Sequence, residues 1–135
     1  MDGLSSAASV IAVVDISVKV LTLCGEYASA VQGAKEEIER LTCEIEALRL
    51  VLESVTDETG CRDALHQCLS ELQVIEARLS SKKTSKMTRW GVRALKWPFK
   101  KKDVDLLLSA LERHKTTLTA ALISNINHVR NLVAS

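Results

Sequence analysis

Apolar residues recur at helical spacing along most of the chain. Spacings that alternate between three and four residues predict helices over about 34–55 and 61–79, and a third from Lys100 or Asp103 to Val133. The helix over 34–55 is the clearest of these. The apolar seams consist of Ile38, Leu41, Ile45, Leu48, Leu52 and Val55; of Cys61, Leu65, Cys68, Leu72, Ile75 and Leu79; and of Val104, Leu107, Leu108, Leu111, Leu118, Leu122, Ile126, Val129 and Val133.

The first apolar stretch, which predicts a helix over about 4–30, has a different character. It is long enough to cross a bilayer, for which roughly 20 apolar residues suffice. Yet Asp15, Lys19 and Glu26 form a narrow polar stripe along it. Such a helix can lie in a soluble bundle with one thin face to water, or leave the bundle and insert into a membrane. The apolar residues predicted to insert are Leu4, Val10, Ile11, Val13, Val14, Ile16, Val18, Val20, Leu21 and Leu23.

The same stretch fits neither a signal peptide nor a permanent span. Met1 is followed by Asp2, so a basic leader region is missing, and no clear cleavage site follows. Charges at the middle of a span cost roughly 2.5 to 3.5 kcal/mol each, although Asp15 and Lys19 could partly neutralise each other.

The stretches between the helices complete the predicted fold. The polar run SSKKTSK over 80–86 predicts a loop, and a short helix over about 88–96 is expected to stop before Pro98. The chain has only five glycines and one proline, which disfavours a sandwich or barrel. We therefore predict an all-α single domain over 1–135: an antiparallel four-helix bundle with an extra short brace helix.

A net charge of +1 hides a strongly basic segment, residues 82–102, which holds nine of the eighteen Lys and Arg residues and no acid. Three interpretations remain open. The aromatic residues Trp90, Trp97 and Phe99 could cap one end of the bundle, the segment could bind anionic lipid, or it could bind nucleic acid. Nucleic acid is the least favoured partner, because no DNA-reading motif surrounds the charges. The candidate headgroup-binding residues are Lys82, Lys83, Lys86, Arg89, Trp90, Arg93, Lys96, Trp97, Lys100, Lys101 and Lys102.

Signals for enzyme chemistry are weak. His66, His114 and His128 lie on separate helical stretches without a partner at catalytic or ligand spacing. No glycine-rich phosphate loop or nucleophile elbow occurs, and the four cysteines form no CxxC pair, which predicts free thiols. We therefore expect no catalytic residues, no cofactor, no metal site and no enzymatic activity.

Three segments resemble the fungal HeLo-like domains that precede NACHT or related STAND nucleotide-binding modules in NLR-like immune receptors. MDGLSSAASVIAVVDISVKVL resembles their N-terminal helix, and AKEEIERLTCEIEALRLVLESV resembles their second helix. LKWPFKKKDVDLLLSALERHKTTLTAAL is similar to their final helix, through Trp97, Pro98, Phe99, Lys102 and the tetrad of residues 112–115. The likeness runs from Met1 to about Asn127.

The resemblance implies a function in programmed cell death, as in heterokaryon incompatibility and innate immunity. Such a domain is related to the HeLo cell-death domain and to the four-helix executioner of animal necroptosis. It would be cytoplasmic at rest, with a nucleotide-binding module following it in a longer protein. After self-association with like domains it would expose the first helix and permeabilise the plasma membrane. Asp15 and Lys19 suit an oligomeric pore with a polar lining better than a one-helix plug. The alternative is a helical protein-interaction or adaptor module with no lipid activity.

Overall fold

A computed structural model describes residues 2–31, 33–55, 62–90 and 96–134, with side chains for 10–31, 33–55, 62–81, 96–124 and 126–134. It contains four helices: α1 (Asp2–Ala30), α2 (Lys35–Glu53), α3 (Arg62–Trp90) and α4 (Lys101–Ala134). These ranges contain no strand, so the predicted all-α class and the four main helices are confirmed.

Local chemistry explains two of the helix boundaries. Gly33, between α1 and α2, has a φ of 94°, a left-handed conformation that glycine adopts without steric cost. At the start of α4 the Lys100 N–H donates to a carboxylate oxygen of Asp103 at 3.0 Å. This bond satisfies one of the backbone donors that a helix start leaves without a partner.

The predicted loop over 80–86 is wrong, because α3 continues through it to Trp90. Neither glycine nor proline occurs between residues 62 and 90, so the polar run holds no strong helix breaker. The Ser80 hydroxyl donates to the Glu76 carboxylate one turn back, at 2.9 Å. A hydroxyl satisfied in this way does not compete with the backbone of the helix.

The prediction of a separate brace helix over 88–96 is also wrong, at both ends of that range. Residues 88–90 are the last of α3, and Lys96–Lys100 have no regular secondary structure. The residues between them, 91–95, lie outside the described ranges.

All four helices contribute to one hydrophobic core. The α2 seam is buried along its whole length, as predicted, and so are the α3 seam residues from Leu65 to Leu79; Cys61 lies outside the described residues. α1 packs more extensively against α3 than against its sequence neighbour α2, and α2 packs mainly against α4. α3 and α4 also pack against each other, over a smaller contact than any of these three pairs.

The predicted α4 seam lies in the core only over its first part. Val104, Leu111 and Leu118 are buried and Leu122 is half-buried, but the apolar residues beyond them are exposed. The apolar seam identified in the sequence runs to Val133, but the structure covers it only as far as Leu122. The physical reason is length, since α4 has 34 residues and its main partner α2 has 19.

Candidate membrane-contact site

α1 places most of its predicted inserting residues against the core. Val13, Val20 and Leu23 are buried, whereas Ile11 and Val18 are exposed at 61% and 47%. The side chain of Leu4 lies outside the described residues. The remaining members of this set are half-buried: Val10, Val14, Ile16 and Leu21. The helix can therefore enter a membrane only if it first leaves its neighbours.

The polar stripe lies on the outer side of α1. Asp15 and Lys19 are exposed and line an open groove together with Leu69 and Gln73 of α3. Glu26, further along the stripe, is half-buried. The narrow aqueous face predicted for this helix is therefore the side that carries Asp15 and Lys19.

Sequence reasoning did not anticipate two polar groups that α1 buries. Ser17 is fully buried, and its hydroxyl donates to the Val13 carbonyl at 2.7 Å. Tyr27 is fully buried, and its hydroxyl donates to the Leu79 carbonyl of α3 at 2.7 Å. In the sequence each is one hydroxyl among several on α1, so nothing marks it as buried. The partner of Tyr27 is 52 residues away in the chain.

Aromatic rings of the basic segment pack into the protein. The Trp97 ring meets Tyr27 edge to face at 5.5 Å between centroids and meets Phe99 at 5.3 Å. Phe99 is buried, and the Arg78 guanidinium lies 5.2 Å from its ring centroid. Edge-to-face pairs of this kind stabilise by about 0.5 to 1.5 kcal/mol beyond their burial. Trp97 and Phe99 therefore fit the interpretation that they cap one end of the helices.

The lysines next to these rings face solvent. Lys96, Lys100, Lys101 and Lys102 are all exposed. Lys82, Lys83, Lys86, Arg89 and Trp90 lie on the last three turns of α3, with side chains outside the described set, and Arg93 lies outside the described residues. The structure thus places exposed charge beside a buried aromatic cluster.

The start of α1 lies far from the basic segment, although the predicted inserting residues continue along the helix to Leu23. Trp97 contacts Tyr27, which is near the last turn of α1. At 1.5 Å per residue, Leu4 lies about 35 Å from that end of the helix. The structure does not bring the start of α1 and the basic segment together, so a membrane bound at the lysines meets the end of α1 first.

The tetrad over 112–115 connects α4 to both of its neighbours. His114 is buried, with Nε2 3.0 Å from a Glu71 carboxylate oxygen of α3. The Lys115 ammonium lies 3.2 Å from the Glu44 carboxylate of α2 and 2.7 Å from Glu112. Sequence spacing could suggest the pair of Glu112 and Lys115, which are three residues apart, but not the contacts of His114 and Lys115 with other helices.

Charge and burial shift three of these groups. Lys115 lowers the pKa of the Glu112 carboxyl, and Glu112 in turn raises the pKa of the Lys115 ammonium. Burial raises the pKa of the Glu44 carboxyl, which the hydrogen bond from Lys115 opposes. The ion pair of Lys115 with Glu44 therefore joins α4 to α2.

A groove of about 850 Å³ between α2 and α4 is lined mainly by acids. Five carboxylates lie along it, and Arg40 pairs with one of them, Asp105, at 3.2 Å. Anionic headgroups would be repelled from this face. The acidic lining residues are Glu36, Glu39, Glu44, Asp105 and Glu112.

Thiol labelling tests whether α1 stays packed in the resting protein. Cys43 is exposed, whereas Cys24 and Cys68 are buried, and burial raises the pKa of Cys24 to about 11 and of Cys68 to about 12. Only the thiolate reacts, so at pH 8 we expect iodoacetamide to label Cys43 and to leave Cys24 and Cys68 unmodified. Peptide mass mapping measures this, with denatured protein as the control. Labelling of Cys24 as fast as Cys43 would contradict a packed α1.

No family model, curated protein or solved structure matched the chain. None of the described helices combines the length and apolarity needed to span a membrane. Within the described ranges, no three His, Cys, Asp or Glu side chains are placed to hold a metal ion.

Proposed function

We propose that this chain is a HeLo-like domain, a non-enzymatic cell-death or immune signalling effector that oligomerises and permeabilises the plasma membrane through α1. The observation that supports it best is the character of α1. Beyond its first turn, this helix is apolar over most of its circumference, and its charged residues Asp15, Lys19 and Glu26 share one face. Once α1 leaves the core, its apolar residues, including the exposed Ile11 and Val18, can contact lipid while the face with Asp15 and Lys19 lines a pore. In the longer protein a nucleotide-binding module would drive clustering, with the domain cytoplasmic at rest.

We also propose that the helices form a bundle in which sequence neighbours run antiparallel. Two contacts between α3 and the α4 region support this: Arg78 lies over Phe99, which precedes α4, while Glu71 contacts His114 further along it. Moving back along α3 therefore means moving forward along α4. The short connection over 31–34 and the extensive contact between α1 and α2 support the same relation between these two helices.

Alternate helices of this proposed bundle run parallel. Arg40 pairs with Asp105, and further along both helices Glu44 pairs with Lys115. Under this arrangement α1 and α3 begin at the same end of the molecule, which is also where α4 ends.

Vesicle flotation tests the electrostatic part of the proposal. Each basic residue near an anionic surface contributes about 1 kcal/mol, so replacing Lys100, Lys101 and Lys102 by Glu is expected to remove about 3 kcal/mol of binding free energy or more. That is a loss of roughly a hundredfold or more in partitioning onto anionic vesicles at low salt. Acidic residues are favourable in the first turn of a helix, so the fold is expected to persist.

The matched control reverses three exposed charges outside the basic segment: Lys35, Arg113 and Arg130 to Glu. Both triple variants have the same net charge, so only the position of the change differs. Equal loss of flotation in the two variants would show that net charge, and not the segment, determines binding.

A second candidate is an interaction or adaptor module without lipid activity. Its support is the exposed apolar side chains near the end of α4, among them Ile126 at 55% and Val133 at 82% exposure. Exposed apolar surface of this extent marks contact sites for other molecules. Absence of flotation at both low and physiological salt would favour this function over the first.

A further inference from the structure

The last third of α4 extends past the hydrophobic core and exposes large apolar side chains. Leu118 is the last fully buried residue of α4, and Leu122 is half-buried. Beyond them, five apolar residues have about half or more of their surface in water: Ile123 at 55%, Ile126 at 55%, Val129 at 49%, Leu132 at 63% and Val133 at 82%.

These side chains occupy one side of the helix, which also carries Arg130 next to Ile126. Leu122, Ile126, Val129 and Val133 follow each other at spacings of four, three and four residues, which makes a heptad-type seam. Ile123 and Leu132 flank the seam. The opposite side is polar and consists of Ser124, Asn127, His128 and Asn131. A two-faced helix end whose apolar face is in water is a contact surface.

We propose that this face binds the same face of a second copy of the chain, as an antiparallel pair of α4 ends. The seam is symmetric about the midpoint between Asn127 and His128. An antiparallel copy therefore places Leu122 opposite Val133 and Ile126 opposite Val129, which gives four apolar layers. A two-fold axis through this midpoint closes the dimer, because both copies use the same surface.

The surrounding structure favours the antiparallel direction. In an antiparallel pair the two hydrophobic cores lie at opposite ends of the paired segment. In a parallel pair both cores would lie at the same end and compete for the same space. The parallel pair would also put like residues opposite each other, with Arg130 beside Arg130 of the second copy.

The available area fits a weak, specific dimer. Burial of the five exposed side chains in both copies would remove on the order of 1,000 Å² from water, which is the lower limit for a specific interface. Lipid is a poorer occupant for this face. Interfacial helices are rich in lysine and arginine, whereas Arg130 is the only such residue in 122–134.

Sedimentation equilibrium of the whole chain over roughly 1 to 500 μM tests the pair. The wild type is expected to show a monomer–dimer equilibrium, and Ile126→Glu is expected to weaken it at least tenfold. Asn127→Glu, which adds the same charge on the polar side, is the matched control and is expected to behave like the wild type. Both positions are exposed, and circular dichroism checks that the helices are intact.

Charge complementation tests the direction of pairing. Ile126→Lys alone and Val129→Glu alone are both expected to be monomeric. Mixed together they are expected to dimerise, because only the antiparallel arrangement sets the new lysine of one variant opposite the new glutamate of the other. A mixture that stays monomeric would overturn the antiparallel pair.

Two further results would overturn the proposal as a whole. One is a wild type that is monomeric at roughly 500 μM, and the other is undiminished association of Ile126→Glu. A monomeric wild type whose vesicle flotation is lost in Ile126→Glu would assign the face to lipid instead. Dimer formation is measured without vesicles, so its failure leaves the membrane proposal standing, and a failure of vesicle leakage leaves the dimer standing.

Discussion

Val18→Lys is expected to lower leakage of anionic vesicles at least tenfold, while Val74→Lys leaves leakage unchanged. Val18 and Val74 are exposed at 47% and 64%, on α1 and α3 respectively. A lysine at either position faces water in the folded protein, so stability is expected to change by about 0.5 kcal/mol or less. Only α1 is proposed to insert, and only there does the new charge meet the bilayer.

The size of this effect follows from the cost of a charge within a span. Lysine at the middle of a membrane helix costs roughly 2.5 to 3.5 kcal/mol. Val18 lies beside the polar stripe, so part of that cost is relieved, but a tenfold effect requires only about 1.4 kcal/mol. Val18→Leu, which keeps the position apolar, is expected to leak like the wild type. Equal leakage from the Val18→Lys and Val74→Lys variants would exclude α1 insertion.

Removal of residues 1–23 is a weaker test of whether α1 inserts into the membrane. Val13, Val20 and Leu23 belong to the hydrophobic core, so their loss would unfold the domain whatever α1 does in a membrane. A substitution at an exposed position separates the two effects.

Trp97→Ala is expected to lower the free energy of unfolding by about 2 to 3 kcal/mol. Truncation of a fully buried ring to alanine costs about 3 to 5 kcal/mol, and Trp97 is half-buried. Its loss also ends the edge-to-face contacts with Tyr27 and Phe99. Urea unfolding followed by circular dichroism measures the change. Trp97→Phe keeps an aromatic ring at this position and is expected to lose less than half as much stability as Trp97→Ala.

The same pair of variants separates a structural role of Trp97 from a headgroup role. If Trp97 acts by holding the segment 96–100 against α1, lipid binding falls only when stability falls. Trp97→Ala with wild-type stability and reduced flotation would contradict the structural role and assign the ring to the lipid interface.

Helix content could be predicted from the sequence because apolar spacing reports on one helix at a time. The α2 seam from Ile38 to Val55 repeats at three and four residues, and each of its members is buried. The polar stripe at Asp15 and Lys19 was identified for the same reason. Both features depend only on which residues share a face of one helix.

The sequence was ambiguous where composition fits two structures. The run from Ser80 to Lys86 has the polarity of a loop, but it lacks glycine and proline and therefore can continue a helix. The bond from Ser80 to Glu76 and the ring contacts of Trp97 belong to the folded chain, so spacing alone could not select between the alternatives.

Residue spacing and composition were enough to predict the four long helices, their apolar faces and the charge of the segment 82–102. Which apolar faces are covered became clear from the packed helices, because burial depends on the length and position of a neighbouring helix. The tertiary structure placed α1 beside α3, separated the start of α1 from the basic segment, and left the apolar face beyond Leu122 in water. A seam is a property of one helix, whereas a core is a property of several.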